Sequence, residues 1–238
     1  MYGVHAVSEA LEAGERLLRV HVGDQRRRDP ALRELLDAAA NLGIPVRFES
    51  RGFFAQFPYK AHQSVVAFAA PFDYVTLEET IASRRSPALF VVLDHITDPH
   101  NLGAILRTAE CAGVDAVVIP ERRAAGVNAT VRKAAAGAAA YVPVARVANF
   151  ATALRTLKKA GIWIAGAAAE TDAVPYTRSD LARDLALVIG AEGSGLAPLV
   201  RRECDYLVSI PLEGQLGSLN ASVAAGVLLY EALRQRGV

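Results

Sequence analysis

Cysteine is scarce: this chain of 238 residues has only Cys111 and Cys204. They lie far apart and in no C-x-x-C spacing, which argues against a disulfide scaffold and fits a reducing compartment. Metal-ligand clusters are missing as well. His95 and His100 are near neighbours, but no cysteine or carboxylate set completes a site around them, so no metal is expected. Neither sign of charge is in excess. Lys and Arg number 26 against 25 Asp and Glu, a formal net charge of +1; up to Ala70 the count is nine against eight. Bulk charge therefore announces no nucleic-acid partner, although it leaves room for a local patch such as Arg26, Arg27 and Arg28. No apolar run reaches the length of a membrane span, and no N-terminal signal pattern is present. The expectation is a cytoplasmic protein with no membrane partner.

Three familiar glycine fingerprints are absent too. In "VIGAEGSGL", Gly190, Gly193 and Gly195 read G-x-x-G-x-G, which is not the dinucleotide pattern G-x-G-x-x-G, and no Walker lysine follows. Ser194 has glycines one residue away on each side rather than two, so the hydrolase elbow fails and a Ser-His-Asp triad has no nucleophile motif. A nucleotide-dependent oxidoreductase would also need an acidic partner at a set distance, and none is there.

What is present is a well-patterned α/β chain. Hydrophobic residues make up 52% and charged ones 21%, enough for a proper core in one large domain or two small ones. "GVHAVSEALEAG" predicts a helix stopped at Gly14, "LLRVHVG" a strand, and "PALRELLDAAANLG" a helix closed by Gly43. "IPVRFES" and "QSVVAFAA" predict two more strands, making residues 1–70 a compact α/β unit. Proline and polar residues in "PFDYVTLEETIASRRSP" mark residues 71–87 as a linker or connecting helix. Over residues 88–238 the alternation is more regular. Strands are predicted at "LFVVLD", "AVVIP", "YVPVARV", "WIAGA", "LALVIG" and "YLVSIP", with helices notably at "FATALRTLKKAG" and "LNASVAAGVLLYEALRQRG". Such alternation implies a mainly parallel sheet covered by helices on both faces. Ligands bind such sheets outside the carboxyl ends of the strands, which directs attention to the loops after Leu93, Ile189 and Ile210.

The first of these loops leads into a helix. Asp98 followed by Pro99 reads as an N-cap with proline at the first helical position. Leu102, Ile105, Leu106 and Ala109 then form one apolar stripe. Arg107 lies about 140° round the helix from Leu102, at 100° per residue, and points away from the stripe. The second loop is the glycine-rich one. In the third, Ser218 and Asn220 stand before the closing helix, where either suits an N-cap and the free amides suit a polar ligand group. Leu219, Val223, Val227, Tyr230 and Leu233 make an apolar stripe on that helix, read as packing on the chain's own core. Alanines such as Ala225, with Gly226, are left to the outward face.

Taken together, "DPHNLGAILRTAECAGVDAVVIP", "LVIGAEGSGL" and "SIPLEGQLGSLNASVAAGVLLYEALRQ" resemble the three ordered motifs of the SpoU (TrmH-type) family of the SPOUT class of RNA ribose 2′-O-methyltransferases, with "NATVRKAAAGAAAYVPV" matching the segment between the first two. The resemblance covers residues 88–238. "YGVHAVSEAL", "RVHVGDQ" and "LRELLDAAANLGIPVRF" look like the L30e-like substrate-binding domain of the bacterial 23S rRNA guanosine 2′-O-methyltransferases. Ala221, where valine is common, and Ala140, where glutamate is common, depart from the pattern. The resemblance implies a carboxyl-terminal trefoil knot, which pattern reading would not propose, S-adenosylmethionine as cofactor, and a homodimer placing residues of both chains near one active site. Carried over by motif, Gly190, Ile210 and Leu219 contact the cofactor, largely through backbone groups. Asn101, Arg107, Glu192, Ser218 and Asn220 take the polar active-site positions. A free guanidinium stays charged below a pKa of about 12, so Arg107 suits phosphate anchoring and oxyanion stabilisation better than acting alone as a base. The rival readings are a tRNA 2′-O-methyltransferase, disfavoured by the first domain, and a noncatalytic RNA-binding protein.

Overall fold

A computed structural model of the chain describes every residue except 13–14, 58–59, 170–172, 194 and 238. Gly14 and Ser194, both singled out in the sequence, lie outside the described residues. The chain forms two compact units, Met1–Phe72 and Asp73–Val238.

The first unit runs α1 (Val4–Glu12), β1 (Leu17–Gly23), α2 (Arg33–Asn41), β2 (Val46–Glu49), α3 (Arg51–Ala55) and β3 (Val65–Ala69). Its sheet has the order β2-β1-β3, with β2 parallel and β3 antiparallel to β1. Alternation along β1 and β3 sends Val20, Val22, Val65 and Ala67 into one core with Val7, Leu11 and Leu35 of α1 and α2. Gly43 follows α2 at φ +66°, a left-handed position that glycine takes without the clash a side chain would meet. At five residues, α3 is too short to show a periodicity, and the sequence does not announce it.

The second unit is a seven-stranded sheet made of β4 (Leu89–Asp94), β5 (Ala116–Pro120), β6 (Val144–Val147), β7 (Trp163–Ala167), β8 (Val174–Pro175), β9 (Leu185–Gly190) and β10 (Tyr206–Ser209). The order is β6-β5-β4-β9-β7-β10-β8, and every pair is parallel. All six residues of β4 and five of the six in β9 are buried, as expected of strands covered on both faces. The helices are α4 (Leu77–Ser83), α5 (Pro99–Cys111), α6 (Ala129–Ala135), α7 (Phe150–Lys159), α8 (Pro198–Glu203) and α9 (Ala221–Gln235). Phe90 and Val92 pack with Leu77, Leu154, Leu157 and Val200 on one face. On the other, α9 lies against β9 and α5, and α5 against α6.

Two elements differ from their reading in the sequence. Within the stretch 71–87, read as linker or connecting helix, the residues from Asp73 onward belong to the second unit. Val75 bridges to Ala145, and Leu77 enters the core beside Phe90. A capping box joins Thr76 and Glu79 at the start of α4. The closing helix is turned the other way. Ala221, Ala225, Leu228, Leu229 and Ala232 are its buried face, while Val223 and Tyr230 are 51% and 54% exposed. Volume decides the orientation, because alanines let α9 lie close to its neighbours where larger residues would hold it off. Ala225 is therefore an inward residue.

Candidate active site

The loops after β4, β9 and β10 meet because their strands are parallel and close in the sheet. Asp94 pairs in register with Gly190 at the ends of β4 and β9. Its buried carboxylate accepts a hydrogen bond from the Ala197 amide at 2.6 Å and is hydrogen-bonded to His95 Nδ1 at 2.6 Å. One charged group thus fastens the glycine-rich loop to the end of β4. Asp98 then caps α5, accepting from the His100 amide at 2.9 Å, with Pro99 in the first turn. That start sets the helix phase that turns Asn101 inward, where it is buried.

Asn101 meets Glu192 and Asn220 in one hydrogen-bonded cluster. Asn101 Nδ2 donates to Glu192 Oε1 at 3.0 Å, and Asn220 Nδ2 donates to Asn101 Oδ1 at 2.9 Å and to Glu192 Oε1 at 2.5 Å. The Ala221 amide adds a third donor to Oε1 at 3.2 Å. Asn220 also caps α9: its Oδ1 accepts from the Ser222 and Val223 amides at 2.9 and 3.3 Å. Three residues far apart in sequence are thereby locked together. Glu192 Oε2 takes no hydrogen bond among the described residues, so an acceptor remains for an incoming hydroxyl.

Beside the cluster lies a cavity of about 310 Å³, walled by the loops after β9 and β10 and the end of β7. Gly190, Glu192, Ile210, Ser218 and Leu219 all line it. Gly190 is required for the loop's own path. A Cβ placed there would stand 2.3 Å from the Gly195 carbonyl carbon and 2.4 Å from its oxygen, because Ala191 and Gly195 bridge in a tight turn. Gly193 and Gly195 hold φ of +79° and +64° in the same turn, the left-handed region that glycine populates freely. The pattern G-x-x-G-x-G thus reflects one close approach and two left-handed turns.

Not every expected residue joins the cluster. Arg107 is exposed, makes no hydrogen bond or ion pair among the described residues, and does not line the cavity of its own chain. It lies six residues beyond Asn101, about 9 Å along the helix at 1.5 Å per residue. Ser218 lines the cavity and is exposed. Asp94 and the Ala221 amide were missed in the sequence. A carboxylate ending a wholly apolar strand is the signal that could have marked Asp94. The run Arg26–Arg28 is largely committed within its own unit: Arg26 pairs with Asp29 at 2.6 Å and donates to the Gln63 carbonyl, and Arg27 lies 4.3 Å over the Phe48 ring. Burial pushes the Cys204 thiol up to about 12, so it is no nucleophile at neutral pH. Among the described residues, no group of His, Cys, Asp and Glu could hold a metal ion, and no helix is long and apolar enough to cross a membrane.

Comparison with known proteins follows the same division. A family model for the SpoU rRNA methylase family matches residues 88–230, and one for RNA 2′-O ribose methyltransferase substrate binding matches residues 1–75. The chain is 44% identical to the 23S rRNA (guanosine-2′-O-)-methyltransferase of Escherichia coli (strain K12), over 99% of this chain and 98% of that protein. It is 43% identical to an uncharacterized tRNA/rRNA methyltransferase of Synechocystis, over its whole length, and spans 62% of that relative. The crystal structure of the SpoU methyltransferase AviRb from Streptomyces viridochromogenes, in complex with the cofactor AdoMet, superimposes with a TM-score of 0.81 at 28% identity. That match covers 99% of this chain and 89% of the other.

Proposed function

The chain belongs to the SpoU rRNA methylase family, and from that membership we propose that it methylates a guanosine ribose 2′-hydroxyl of 23S ribosomal RNA, with S-adenosylmethionine as cofactor. The observation that carries the reading is the convergence of Asn101, Glu192 and Asn220 beside a glycine-walled cavity at the carboxyl edge of the sheet.

The cavity fits the cofactor chemically. Apolar side chains and backbone line it, and Glu192 is the one ionisable side chain among the described lining residues. That lining suits a neutral adenine with a cationic sulfonium, and its volume lies at the low end of the roughly 300–1,000 Å³ of small-ligand sites. Gly190, Ile210 and Leu219 would hold the group. When bound, S-adenosylmethionine supplies an electrophilic methyl group. The ribose hydroxyl must then be held in line and lose its proton. Every polar atom of the Asn220 side chain is already engaged, so Asn220 and Asn101 position Glu192, while the Ser218 hydroxyl at the cavity wall orients the ribose. Arg107 anchors a phosphate and stabilises the developing oxyanion.

The remaining parts of the reading follow from the family. The first unit, about residues 1–70, is an L30e-like RNA substrate-binding domain, which the substrate-binding match supports. The carboxyl end forms a trefoil knot. Its support is that α9, following β10, returns past β7 to pack on β9 and α5. The protein acts in the cytoplasm as a homodimer, and Arg107, remote from its own cavity, serves the site of the second copy. Arg107→Ala tests the assignment. Calorimetric titration with S-adenosylmethionine is expected to be nearly unchanged, while methyl transfer to 23S rRNA falls by about a hundredfold or more. Substantial activity in the variant removes Arg107 from the mechanism.

A further inference from the structure

The sheet of the first unit has two unlike faces. One is buried under α1 and α2. By alternation, the other carries Arg19 and His21 of β1, Arg47 and Glu49 of β2, and Val66 and Phe68 of β3. Register sets Arg19 beside Phe68, and His21 between Arg47 and Val66. The short α3 covers this face only in part. Phe53 stacks on His21, with centroids 4.6 Å apart and planes 18° apart, and His21 meets Phe68 edge-on at 5.3 Å. Phe57 lies 6.3 Å from Phe68. With Phe53 also 5.4 Å from Phe57, the four rings form a closed cluster on the sheet, and Phe68 is a member of it that is 46% exposed.

The charges on this face are uneven. Its carboxylate, Glu49, is engaged by His21 at 3.0 Å. Among the described residues its two arginines are uncommitted: Arg19 has a buried Nε with no hydrogen-bond partner, and Arg47 is exposed and makes no hydrogen bond or ion pair. The face thus offers an exposed phenylalanine ring, backed by a cluster of aromatic side chains and flanked by uncommitted cations. A partner that needs both has planar rings and anionic groups in alternation, which is the chemistry of an unpaired RNA strand. Paired bases in a duplex have their faces covered by their neighbours and cannot use the ledge.

We propose that this aromatic ledge stacks unpaired bases of the RNA substrate on Phe68 and its neighbours, while Arg19 and Arg47 meet the adjoining phosphates. The proposal rests on the reading of the first unit as the substrate-binding part. Its test uses the full-length protein carrying Phe68→Trp in a Trp163→Phe background, which leaves one indole as reporter. The probes are a hairpin RNA with an unpaired loop and a fully paired duplex of equal length. The hairpin is expected to quench the indole emission and the duplex is not. Phe68→Ala should weaken hairpin binding about tenfold or more, the scale of one lost stacking contact, and Phe68→Tyr should restore it. Binding without quenching, equal affinity for the duplex, or an unaffected Phe68→Ala overturns the ledge, including in favour of a protein partner for this face. Methylation of 23S rRNA, assayed in parallel, separates the two readings. Loop-dependent quenching in the reporter protein, with no methyl transfer by the wild type, overturns the enzymatic reading and leaves the ledge. A Phe68→Ala variant that methylates as well as wild type does the reverse.

Discussion

Asn220 has no spare hydrogen-bonding capacity: its oxygen caps α9 and its amide nitrogen ties Asn101 to Glu192. That economy makes the glycine-rich loop the sensitive part of the site, because Glu192 has to arrive within bonding distance of a fixed partner. Gly190 controls that arrival. Gly190→Ala is expected to push the turn away from Gly195, whose carbonyl carbon stands 2.3 Å from the new atom. Overpacking of this kind costs about 1–3 kcal/mol, or a Tm lower by roughly 2–4 °C per kcal/mol for a chain of this size. Affinity for S-adenosylmethionine should drop together with the Tm. Gly193→Ala is the control: it strains a φ of +79° but meets no atom within 4 Å, so it should cost stability with less effect on affinity. Thermal unfolding and calorimetry on both variants check this, and unchanged binding in Gly190→Ala removes the glycine from the cavity wall. Sequence reasoning found Gly190 but not its approach to Gly195, because a glycine pattern shows that a close approach exists without showing to what. It also read the Asp98 cap and the outward turn of Arg107. Helix phase gives a direction, however, and not what stands there.

Among the helices, length determined what was legible. The strands other than the two-residue β8, which the sequence does not announce, and the long helices α1, α2, α5, α7 and α9 carry full periods and are readable. The five to seven residues of α3, α6 and α8 are too few for periodicity to speak. The packing of α6 on α5 shows what such a short element still demands. Gly103 lies on the buried side of α5, and a Cβ there would stand 2.4 Å from the Ala134 Cβ and 2.7 Å from the Val131 carbonyl oxygen of α6. Glycine inside a helix is otherwise unfavourable by about 1 kcal/mol relative to alanine. Contact between the helices reverses that preference here. Gly103→Ala is therefore expected to destabilise the protein by about 1–3 kcal/mol, against the gain that helix propensity alone would give. Chemical denaturation gives the test, and a stabilised variant shows that α6 can shift without cost. Because Asn101 is two residues away, the separation of the two helices also bears on the placing of Glu192.

At the scale of the whole molecule, the outward face of α9 is the feature that one chain leaves unexplained. Val223 and Tyr230 stand half exposed, with Leu219 36% exposed just before the helix begins, and together they form the apolar surface expected at a protein contact. The alanines that the sequence leaves to the outward face are inside, so Ala225→Glu would place a charge in the core and report on folding rather than assembly. Val223→Glu and Tyr230→Glu are the informative variants. In a twofold homodimer built on this face, each is expected to give a folded monomer with impaired methyl transfer, read by light scattering at micromolar concentration. The position of Arg107 sharpens the test. It sits beside Thr108, whose Cγ2 approaches the Gly226 position of α9 at 3.8 Å, yet it is absent from the cavity lining of its own chain. If it serves the partner's site, Arg107→Ala and Glu192→Gln are each inactive alone but complement when unfolded and reassembled together. Random pairing makes half the dimers mixed, and each mixed dimer keeps one intact site, so about a quarter of wild-type activity returns. No recovery on mixing would place Arg107 in its own subunit's chemistry. A fully active monomeric Tyr230→Glu would remove the dimer from the mechanism altogether.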